Sequence, residues 1–548
     1  MTDATMMDFP LTTQMILRRG ARLFADSMVS TFDGKRLNAT PFAQVADRAS
    51  RLASALVRLG IAPGECVGTL CWNSQAHLEA YVAVPASGFV LHTLNLRLYP
   101  DQIGWIARHA DNRVILVDSD LVQLLAAFAG ELPGLRHVIV TDGDGDGALD
   151  GTNVAVHSLE DLLAATGPLI DWPKLDERSP AAMCYTSGTT GNPKGVVYSH
   201  RSIFLHSLAS MGSDTFGICN SDCILMMPPM FHANAWGLPF SCWFAGADMV
   251  MPSRFLQPDP LAAMIEASRP TLTMAVPTIL NDLLQRHSRE PMDLSSFRAI
   301  IAGGSAVSRQ LIERVRDTWG IDLVQGWGMT ETSPMCVLSH PPRGTVAGDE
   351  AGWRAKSGRP VAGIEVRIVG DDGALIAQDG NAVGRLQVRG PWVTSGYHAA
   401  PPAITPDGWF DTGDVGTIDA LGYVQITDRT KDLIKSGGEW ISSVDLENEI
   451  AALPGVVEAA VVAVPDPRWE ERPLAIVTWD GTSEPDFAAL RTALRGRMAK
   501  FMVPDYWALL PALPKTSVGK IDKKRLREQV ASGTMEIVHE LTFAAEEC

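Results

Sequence analysis

The feature that most restricts the possible folds is the segment YTSGTTGNPKG at residues 185–195, which is rich in glycine and in hydroxyl side chains. It follows the apolar AAMCY and continues into VVYSH, so apolar segments flank it on both sides. Its glycines let backbone N–H groups approach an anion, and Lys194 adds a positive charge. The Walker pattern fails, because Gly195 stands where that loop needs Ser or Thr. The composition favours a phosphate-binding loop of another kind over a plain surface turn, which is the alternative.

Helical and strand patterns alternate before this segment, which predicts a layered α/β domain. FAQVADRASRLASALVRLG has apolar residues at helical spacing and ends in Gly60, whereas ECVGTLCW and RVILVDS have the composition of short buried strands. Because the chain has 548 residues, we expect more than one domain.

The residue composition and the predicted secondary structure change towards the C-terminus. From about residue 350, short alternating segments rich in Gly and Asp predict a β-rich subdomain with tight turns. After DRTKDLIKSGGEW, the strand patterns VVEAAVVAV and LAIVTW and the amphipathic DFAALRTALRGRMAK predict a small α+β unit. We therefore predict an N-terminal domain over residues 1–427, with the β-rich subdomain at about 350–427, and a C-terminal domain over residues 428–548.

Charge and cysteine content restrict the partners and the compartment. A net charge of −17 argues against nucleic acid and against an anionic membrane surface as partners. The eight cysteines lie mostly among apolar neighbours, which indicates free thiols in a reducing compartment, and the N-terminus has no signal-peptide pattern. We therefore expect a cytoplasmic protein. The apolar stretch 224–251 contains three prolines, so we expect buried strands and turns there, and no integral membrane association.

Further motifs follow the glycine-rich segment in order: QGWGMTETSP (325–334), GWFDTGDVG (408–416), DRTKDLIKSGGEWIS (428–442) and PKTSVGK (514–520). Together they resemble the signatures of the adenylate-forming (ANL) superfamily, in its acyl-CoA synthetase branch, and especially its bacterial medium- and long-chain fatty-acyl-CoA synthetases. The resemblance covers nearly the whole chain. It implies an α/β fold with a large multi-subdomain N-terminal adenylate-forming domain and a small mobile C-terminal domain. It also implies that a carboxylic acid attacks ATP to give an acyl-adenylate and pyrophosphate, after which CoA displaces AMP.

The resemblance also implies a nucleotide site. Mg²⁺, which prefers oxygen ligands, would be held by Thr186 and Glu331. Trp327 would stack on the adenine, and Asp414 would accept hydrogen bonds from the ribose hydroxyls. The residues expected to bind ATP and AMP are Thr186, Ser187, Gly188, Thr189, Thr190, Gly191, Lys194, Gly304, Gln325, Gly326, Trp327, Thr330, Asp414, Arg429, Lys431 and Lys435.

The resemblance assigns the catalytic step to Lys520 above all, with Glu331, Thr186 and His232 as the other catalytic residues. In the family this lysine comes from the mobile domain and reaches the carboxylate and the α-phosphate during adenylation. Asp428 would be the hinge of the domain movement, for which we expect few contacts. The hairpin after the hinge would line the CoA tunnel through Gly437, Gly438, Glu439 and Trp440.

The segment PPMFHANAWGLP (228–239) carries the information on the acid. By resemblance, His232 lies beside the acyl carboxylate, Trp236 matches an aromatic gate at the mouth of a fatty-acid tunnel, and Gly303 and Pro334 belong to the same pocket. Its Met-rich apolar neighbours, with no charged residue for a polar tail, favour a medium- or long-chain fatty acid.

Two alternatives stay open. The same type of gate occurs in ligases for short acids such as 3-methylthiopropanoate. A stand-alone adenylating enzyme could instead pass its product to a carrier protein, but no carrier domain follows PKTSVGK, so CoA fits better as the acceptor. A bacterial long-chain fatty-acyl-CoA synthetase that the chain resembles is a homodimer, so the resemblance implies a homodimer here.

Overall fold

The computed structural model describes residues 5–143, 147–186, 192–346, 348–429, 432–436, 439–481, 485–516, 520–537 and 539–540. Some predicted site residues lie outside this set: Ser187, Gly188, Thr189, Thr190, Gly191, Lys431, Gly437 and Gly438, and the side chains of Glu439 and Trp440.

The first part of the chain alternates helices with mostly parallel strands. Its elements are α1 (Thr13–Leu23), β1 (Met28–Phe32), β2 (Leu37–Pro41), α2 (Phe42–Arg58), β3 (Cys66–Leu70), α3 (Gln75–Ala86), β4 (Val90–Thr93), α4 (Pro100–His109), β5 (Asn112–Val117), α5 (Val122–Ala129), β6 (His137–Val140), β7 (Ala155–Ser158), α6 (Leu159–Ala164), β8 (Pro180–Thr186) and β9 (Lys194–Ser199). One sheet has the order β7–β6–β5–β3–β4–β8–β9 and is parallel except for β9, which returns antiparallel to β8.

A second sheet follows. Its elements are α7 (His200–Ser210), β10 (Cys223–Leu225), α8 (Leu238–Ala245), β11 (Asp248–Met251), α9 (Pro258–Ser268), β12 (Leu272–Ala275), α10 (Pro277–Arg289), β13 (Ala299–Ala302), α11 (Arg309–Trp319), β14 (Leu323–Trp327), β15 (Val337–Leu338), α12 (Glu350–Arg354) and β16 (Arg359–Pro360). The strand order is β16–β15–β14–β13–β12–β10–β11–β1–β2, so the first hairpin of the chain joins this sheet.

Buried helices fill the space between the two sheets. α3 and α8 are buried on nearly every side, as expected of helices that are apolar all round, and α1 packs against both. The main apolar core takes side chains from both sheets, for example Val67 and Met249, together with Tyr81 and Trp243 of these helices. This arrangement fixes the two sheets relative to each other, and with them the loops at their strand ends.

The stretch 224–251 differs in one respect from the expectation of strands and turns alone. It holds β10 and β11, but α8 lies between them as a fully buried helix. Pro239 is compatible with this helix because it stands in the first turn, where its missing N–H has no partner to lose. In the described part of the chain, no helix has both the length and the apolar character needed to cross a membrane.

A separate antiparallel sheet follows, with the order β17 (Glu365–Val369), β18 (Gly384–Arg389), β19 (Phe410–Ile418) and β20 (Val424–Arg429). The register of its last pair sets Asp414 opposite Arg429 and Val415 opposite Asp428. The motif at 408–416 and the first two residues of the motif at 428–442 are therefore neighbours in one sheet.

The C-terminal part has its own sheet and core. Its elements are β21 (Ile434–Ser436), β22 (Glu439–Ile441), α13 (Ser443–Ala451), β23 (Val456–Asp466), β24 (Glu470–Trp479), α14 (Phe487–Arg495), β25 (Tyr506–Leu509), α15 (Lys523–Ala531) and β26 (His539–Glu540). Trp507 is fully buried there and stacks on Phe487 of α14, with ring centroids 5.3 Å apart. The predicted fold class, a large α/β N-terminal domain and a smaller C-terminal domain, is confirmed.

Candidate active site

The predicted nucleotide residues gather at the carboxyl ends of strands. Thr186 ends β8, Gly303 and Gly304 follow β13, and Trp327 ends β14. In α/β proteins the crevice beyond the carboxyl ends of the strands is where ligands bind. The two sheets therefore direct the separate sequence motifs to one side of the N-terminal domain.

Asp414 joins two of these motifs through direct contacts. The Trp327 Nε1–H donates to Asp414 Oδ2 at 3.0 Å, and Arg429 Nε lies 2.6 Å from Oδ1. Burial raises the pKa of Asp414, and the positive charge of Arg429 and the indole N–H oppose that rise. The indole is only half-buried and is held at its N–H edge, so its ring plane has a fixed orientation.

Glu331 is a buried carboxylate with a tyrosine partner. It lies in the short 3₁₀ turn Thr330–Thr332, which packs against β8, and the Tyr397 hydroxyl donates to Glu331 Oε1 at 2.8 Å. Burial raises the pKa of Glu331, while the Tyr397 hydroxyl and Arg429 favour its ionised form. Tyr397 has a second contact on its ring face, because Lys194 Nζ lies 4.9 Å from the ring centroid.

The two ends of the glycine-rich loop pair with each other. Thr186 of β8 lies opposite Lys194 of β9 in the antiparallel register. Gly195 follows at a crowded point, where a Cβ atom would lie 2.9 Å from the Tyr185 ring and 3.1 Å from the His398 Cβ. Glycine is required at 195 by this close approach rather than by a positive φ.

Gly303 and Gly304 form a flat seat for an aromatic ring. A Cβ atom on Gly303 would lie 2.9 Å from the carbonyl oxygen of Gly326 and 3.2 Å from the Trp236 indole. Gly304 has a φ of +83° and faces Val276, the Trp236 ring and Lys520. The half-buried indole of Trp236 thus lies against the glycines predicted to contact adenine and the acyl group.

Trp236 stands on an unusual backbone. Residues 233–237 all have φ between 44° and 79°, which makes a left-handed turn in which only the last residue is glycine. Each non-glycine residue in this conformation costs about 1–2 kcal/mol. Buried polar contacts oppose the strain, because the Asn234 amide oxygen accepts from the Tyr81 hydroxyl at 3.2 Å and from the Cys184 thiol at 3.1 Å.

His232 precedes this turn and lies near two cations. Burial lowers the pKa of His232 to about 4, and the positive charges of Lys520 and Arg97 contribute to the decrease. The imidazole is therefore neutral at physiological pH. Arg97 also lies over the Phe231 ring, 5.7 Å from its centroid.

Lys520 reaches this region from the C-terminal part of the chain. Its Cε lies 3.8 Å from the position that a Cβ atom of Gly304 would take. Its backbone is held by Thr516, whose N–H donates to the Lys520 carbonyl at 2.6 Å and whose hydroxyl accepts from the Lys520 N–H at 3.2 Å. Desolvation and the nearby Arg429 lower the pKa of Lys520 to about 8, and Asp414 opposes that decrease.

The expectation that Asp428 has few contacts is wrong. Asp428 is buried, and its Oδ2 accepts hydrogen bonds from both the N–H, at 2.7 Å, and the hydroxyl of Ser443. Lys523 Nζ donates to the same hydroxyl and lies 2.8 Å from Glu447 Oε1. A carboxylate buried at a junction needs such partners, since an unpaired buried charge is expensive.

Gln325 and Pro334 have structural contacts around the nucleotide motif. The Gln325 side-chain oxygen accepts from the Val307 N–H at 3.3 Å and so supports the turn after β13. The carbonyl oxygen of Pro334 packs on Gly328, where a Cβ atom would lie only 1.3 Å from it. Both residues shape the strand end that carries Trp327.

Lys435 does not join the residues around Asp414 in the contacts that the described residues make. Its Nζ lies 3.7 Å from Glu470 Oε2, and its backbone N–H donates to Glu471 at 2.9 Å. β21 holds Lys435 beside carboxylates of the C-terminal sheet, and its expected contact with the phosphate side of the nucleotide stays a prediction.

Sequence reasoning missed Tyr397, Asn234 and Arg97. Tyr397 is separated from Glu331 by 66 positions, and nothing in SGYHAAP signals its partner. Asn234 lies within FHANAWG, but nothing there predicted its left-handed conformation, because the only glycine of the left-handed turn is its last residue. Arg97 follows a buried strand, and a lone arginine there gives no functional signal.

An α/β domain with its site at the carboxyl ends of the strands, completed by a lysine from a second domain, is the architecture of adenylate-forming enzymes. A family model described as AMP-binding enzyme matches residues 17–398, and one described as AMP-binding enzyme C-terminal domain matches residues 445–520. The chain belongs to this AMP-binding enzyme family. It is an ATP-dependent acyl-CoA ligase, which uses ATP and CoA as substrates.

Individual relatives and a solved structure resemble the chain over nearly its whole length. The chain is 41% identical over 531 residues to the 3-methylmercaptopropionyl-CoA ligase of Ruegeria pomeroyi, covering 96% of this chain and 98% of the relative. It is 41% identical over 535 residues to the long-chain-fatty-acid–CoA ligase of Thermus thermophilus, covering 96% and 97%. An anthranilate CoA ligase solved in complex with anthranoyl-AMP has a TM-score of 0.86 at 26% identity, covering 96% of this chain and 99% of that one.

Proposed function

We propose that the enzyme converts a medium- or long-chain fatty acid to its CoA thioester through an acyl-adenylate. The observation that carries the proposal is the seat of Trp236 on Gly303 and Gly304, at the end of an apolar, Met-rich strand region. A side chain at that point controls how far an acyl chain extends past the glycines. The relative from Thermus thermophilus, which acts on long-chain fatty acids by its name, supports an extended pocket.

A short acid such as 3-methylthiopropanoate is the second candidate. It is favoured by the same contact, because an indole that stays against Gly303 and Gly304 leaves room only for a short chain. The relative from Ruegeria pomeroyi carries that substrate in its name. The two candidates therefore differ in whether Trp236 moves.

The decisive experiment is a scan of CoA-dependent AMP formation over acids from propanoate to palmitate. We expect the highest kcat/KM at medium or long chains in the wild type. Trp236→Ala should then improve short-branched or bulky acids more than straight long chains, because it removes a gate that long chains already displace. The control Trp319→Ala removes an indole that packs on a different apolar cluster, the one that includes Leu311 and Val315 of α11, and it should leave the chain-length profile unchanged. A wild-type maximum at short, sulfur-containing acids would reject the fatty-acid assignment and leave the ligase reaction intact.

We propose that Thr186 and Glu331 hold Mg²⁺. The donor set fits this ion, because a buried carboxylate and a hydroxyl at the base of the phosphate loop are hard oxygen ligands. The Tyr397 hydroxyl donates a hydrogen bond to Glu331 Oε1, but the carboxylate has further lone pairs that could bind a cation. When bound, Mg²⁺ would neutralise charge on the phosphates of ATP.

The remaining roles follow from the same contacts. Asp414 would accept the ribose hydroxyls on its free lone pairs, while Arg429 and Trp327 hold its orientation. Trp327 would stack on adenine with its exposed face. Lys520 would supply positive charge where the acid's carboxylate oxygen meets the α-phosphate, two anions that otherwise repel. His232 lies near Lys520 and is neutral, so it would pack against the acid's carboxylate without adding a second positive charge there.

The second half-reaction is proposed to follow a swing of the C-terminal domain about Asp428, with the hairpin from 437 to 440 at the CoA tunnel. We further propose a cytoplasmic homodimer. Light scattering coupled to size-exclusion chromatography tests the dimer, and a monomeric mass at micromolar concentration would reject it.

A further inference from the structure

A cleft lies beside the base of the phosphate loop, and most of the residues that line it have not yet been given a role. It has a volume of about 410 Å³, and its polar groups come from His109, Asn192, Lys194, Tyr397 and His398, while alanine and proline residues complete its lining. This volume is within the range of small-molecule sites, which is about 300–1,000 Å³. The described residues that line it include a lysine and two histidines but no Asp or Glu, in a chain whose net charge is −17. The cleft therefore suits an anion.

Tyr397 separates this cleft from the proposed metal site. Its hydroxyl donates to Glu331 Oε1 at 2.8 Å, while Lys194 lies over its ring at 4.9 Å. The cleft and Glu331 are thus on either side of one tyrosine. An anion released beside Glu331 would therefore lie close to Lys194.

Both histidines are held in place by the phosphate-loop strands. His109 Nδ1 lies 2.6 Å from the Tyr185 hydroxyl, and the His109 ring stacks on Trp105. His398 donates its backbone N–H to the Gly195 carbonyl at 2.7 Å, and its ring meets the His109 ring edge-on at 5.2 Å. The positions of both imidazoles are therefore fixed before any ligand arrives.

The hydrogen-bond pattern leaves a donor for the cleft. Burial raises the pKa of the Tyr185 hydroxyl, so it stays protonated and can donate to His109 Nδ1. In that tautomer His109 Nε2 carries the hydrogen. Nε2 can then donate to an anion even when the imidazole is neutral.

We propose that this cleft binds inorganic pyrophosphate on its way out of the active site. The adenylation step forms the acid–phosphorus bond at the α-phosphate and breaks the bond to the β-phosphate, so pyrophosphate leaves with both electrons of that bond. It must depart from the loop before CoA reacts. One lysine and two imidazoles would bind such an anion weakly, and weak binding suits a product that has to be released. The inference rests on the adenylation step and is independent of which acid is activated.

The test is the acid-dependent exchange of labelled pyrophosphate into ATP, with the KM for pyrophosphate as the readout. His398→Leu should raise this KM about three- to tenfold, since a hydrogen bond to a charged group is lost at a partly exposed site. His398→Arg should restore it or lower it, because the guanidinium supplies N–H donors and a positive charge at the same position. The KM for ATP and the rate of thioester formation from supplied acyl-adenylate should stay at wild-type values in both variants.

His157→Leu is the matched control, because it removes a half-buried histidine at the far edge of the same sheet. His109→Gln gives a second variant in case His398→Leu fails to fold, and it should shift the same KM. An unchanged KM for pyrophosphate in the His398 and His109 variants overturns the proposal. So does a rise in the KM for CoA in place of pyrophosphate, which would assign the cleft to the phosphates of CoA. If wild-type exchange occurs with other acids but not with fatty acids, only the proposed acid fails, and the cleft is tested with the acid that works.

Discussion

The proposed role of Lys520 can be tested with a single substitution. Lys520→Ala removes an ammonium that stands beside Gly304 and in the field of Asp414 and Arg429. The backbone contacts around it, between Thr516 and Lys520 and between Lys515 and Ile521, do not involve the lysine side chain and should remain in the alanine variant. The substitution therefore deletes charge without removing the loop that carries it.

The size of the effect follows from the charge removed. A cation and a phosphate oxygen about 4 Å apart interact by about 4 kcal/mol at an effective dielectric of about 20. Because about 1.4 kcal/mol corresponds to tenfold in rate, the loss of Lys520 should slow adenylation by about a thousandfold. The rate of thioester formation from supplied acyl-adenylate should stay within about twofold of the wild type, because this step forms no new bond at the α-phosphate.

The assay measures the two half-reactions separately: acid-dependent pyrophosphate release without CoA, and thioester formation from acyl-adenylate and CoA. Lys524→Ala is the matched control, since this neighbouring lysine is exposed and pairs only with Glu528, at 3.9 Å, among the described residues. Equal slowing of both half-reactions by Lys520→Ala would refute the assigned role, because it would indicate a general loss of structure or of substrate binding.

The pH dependence gives a second readout of the same side chain. With a pKa of about 8 in the free enzyme, Lys520 loses its proton as the pH rises through that value. The kcat/KM of adenylation, which reports ionisations of the free enzyme, should therefore fall above about pH 8. In Lys520→Arg the charge persists, so the decrease should disappear even if the absolute rate is lower. A decrease of the same shape in Lys520→Arg would show that another group titrates.

Two further substitutions test the buried networks. Lys523→Met leaves Asp428 and Glu447 buried without their cation, so it should destabilise the C-terminal domain by about 3–5 kcal/mol, measured as a lower urea midpoint for its unfolding, while Lys524→Met should not. An unchanged midpoint would count against the network. Tyr397→Phe removes the donor to Glu331, which raises the pKa of that carboxyl further and should increase the Mg²⁺ concentration for half-maximal adenylation about tenfold. A normal Mg²⁺ requirement would argue against Glu331 as a ligand.

The sequence predicted the fold class and the enzyme class because both depend on local patterns. The apolar spacing of α2 and the glycine at 60, with a φ of +78°, are visible in a short window. The motifs around Thr186, Trp327 and Asp414 are equally compact, and each follows or lies within a strand. These three residues belong to three different sheets, so their expected meeting in one site came from the family resemblance and not from strand geometry.

The remaining features depend on contacts between distant parts of the chain. The burial of Asp428 is set by Ser443 and Lys523, which no local pattern around DRTKDL reveals. The left-handed turn before Gly237 contradicts the local preference of Ala233 and Ala235, and tertiary contacts of Asn234 override that preference. Strain of this kind is typical of functional sites, where the surroundings fix what the local sequence disfavours, and it supports the proposal that Trp236 faces the substrate.

The distribution of the site between the two domains has a mechanistic consequence. Trp327, Asp414 and Glu331 all precede the proposed hinge, and Arg429 is held opposite Asp414 by the register of β19 and β20. Lys520, by contrast, comes from the C-terminal domain and lies beside Gly304. A swing of that domain would therefore withdraw the cation needed for adenylation while leaving the contacts to adenine and ribose in place. The acyl-adenylate would stay bound during the movement, because the residues that hold its nucleotide do not move with the residue that made it.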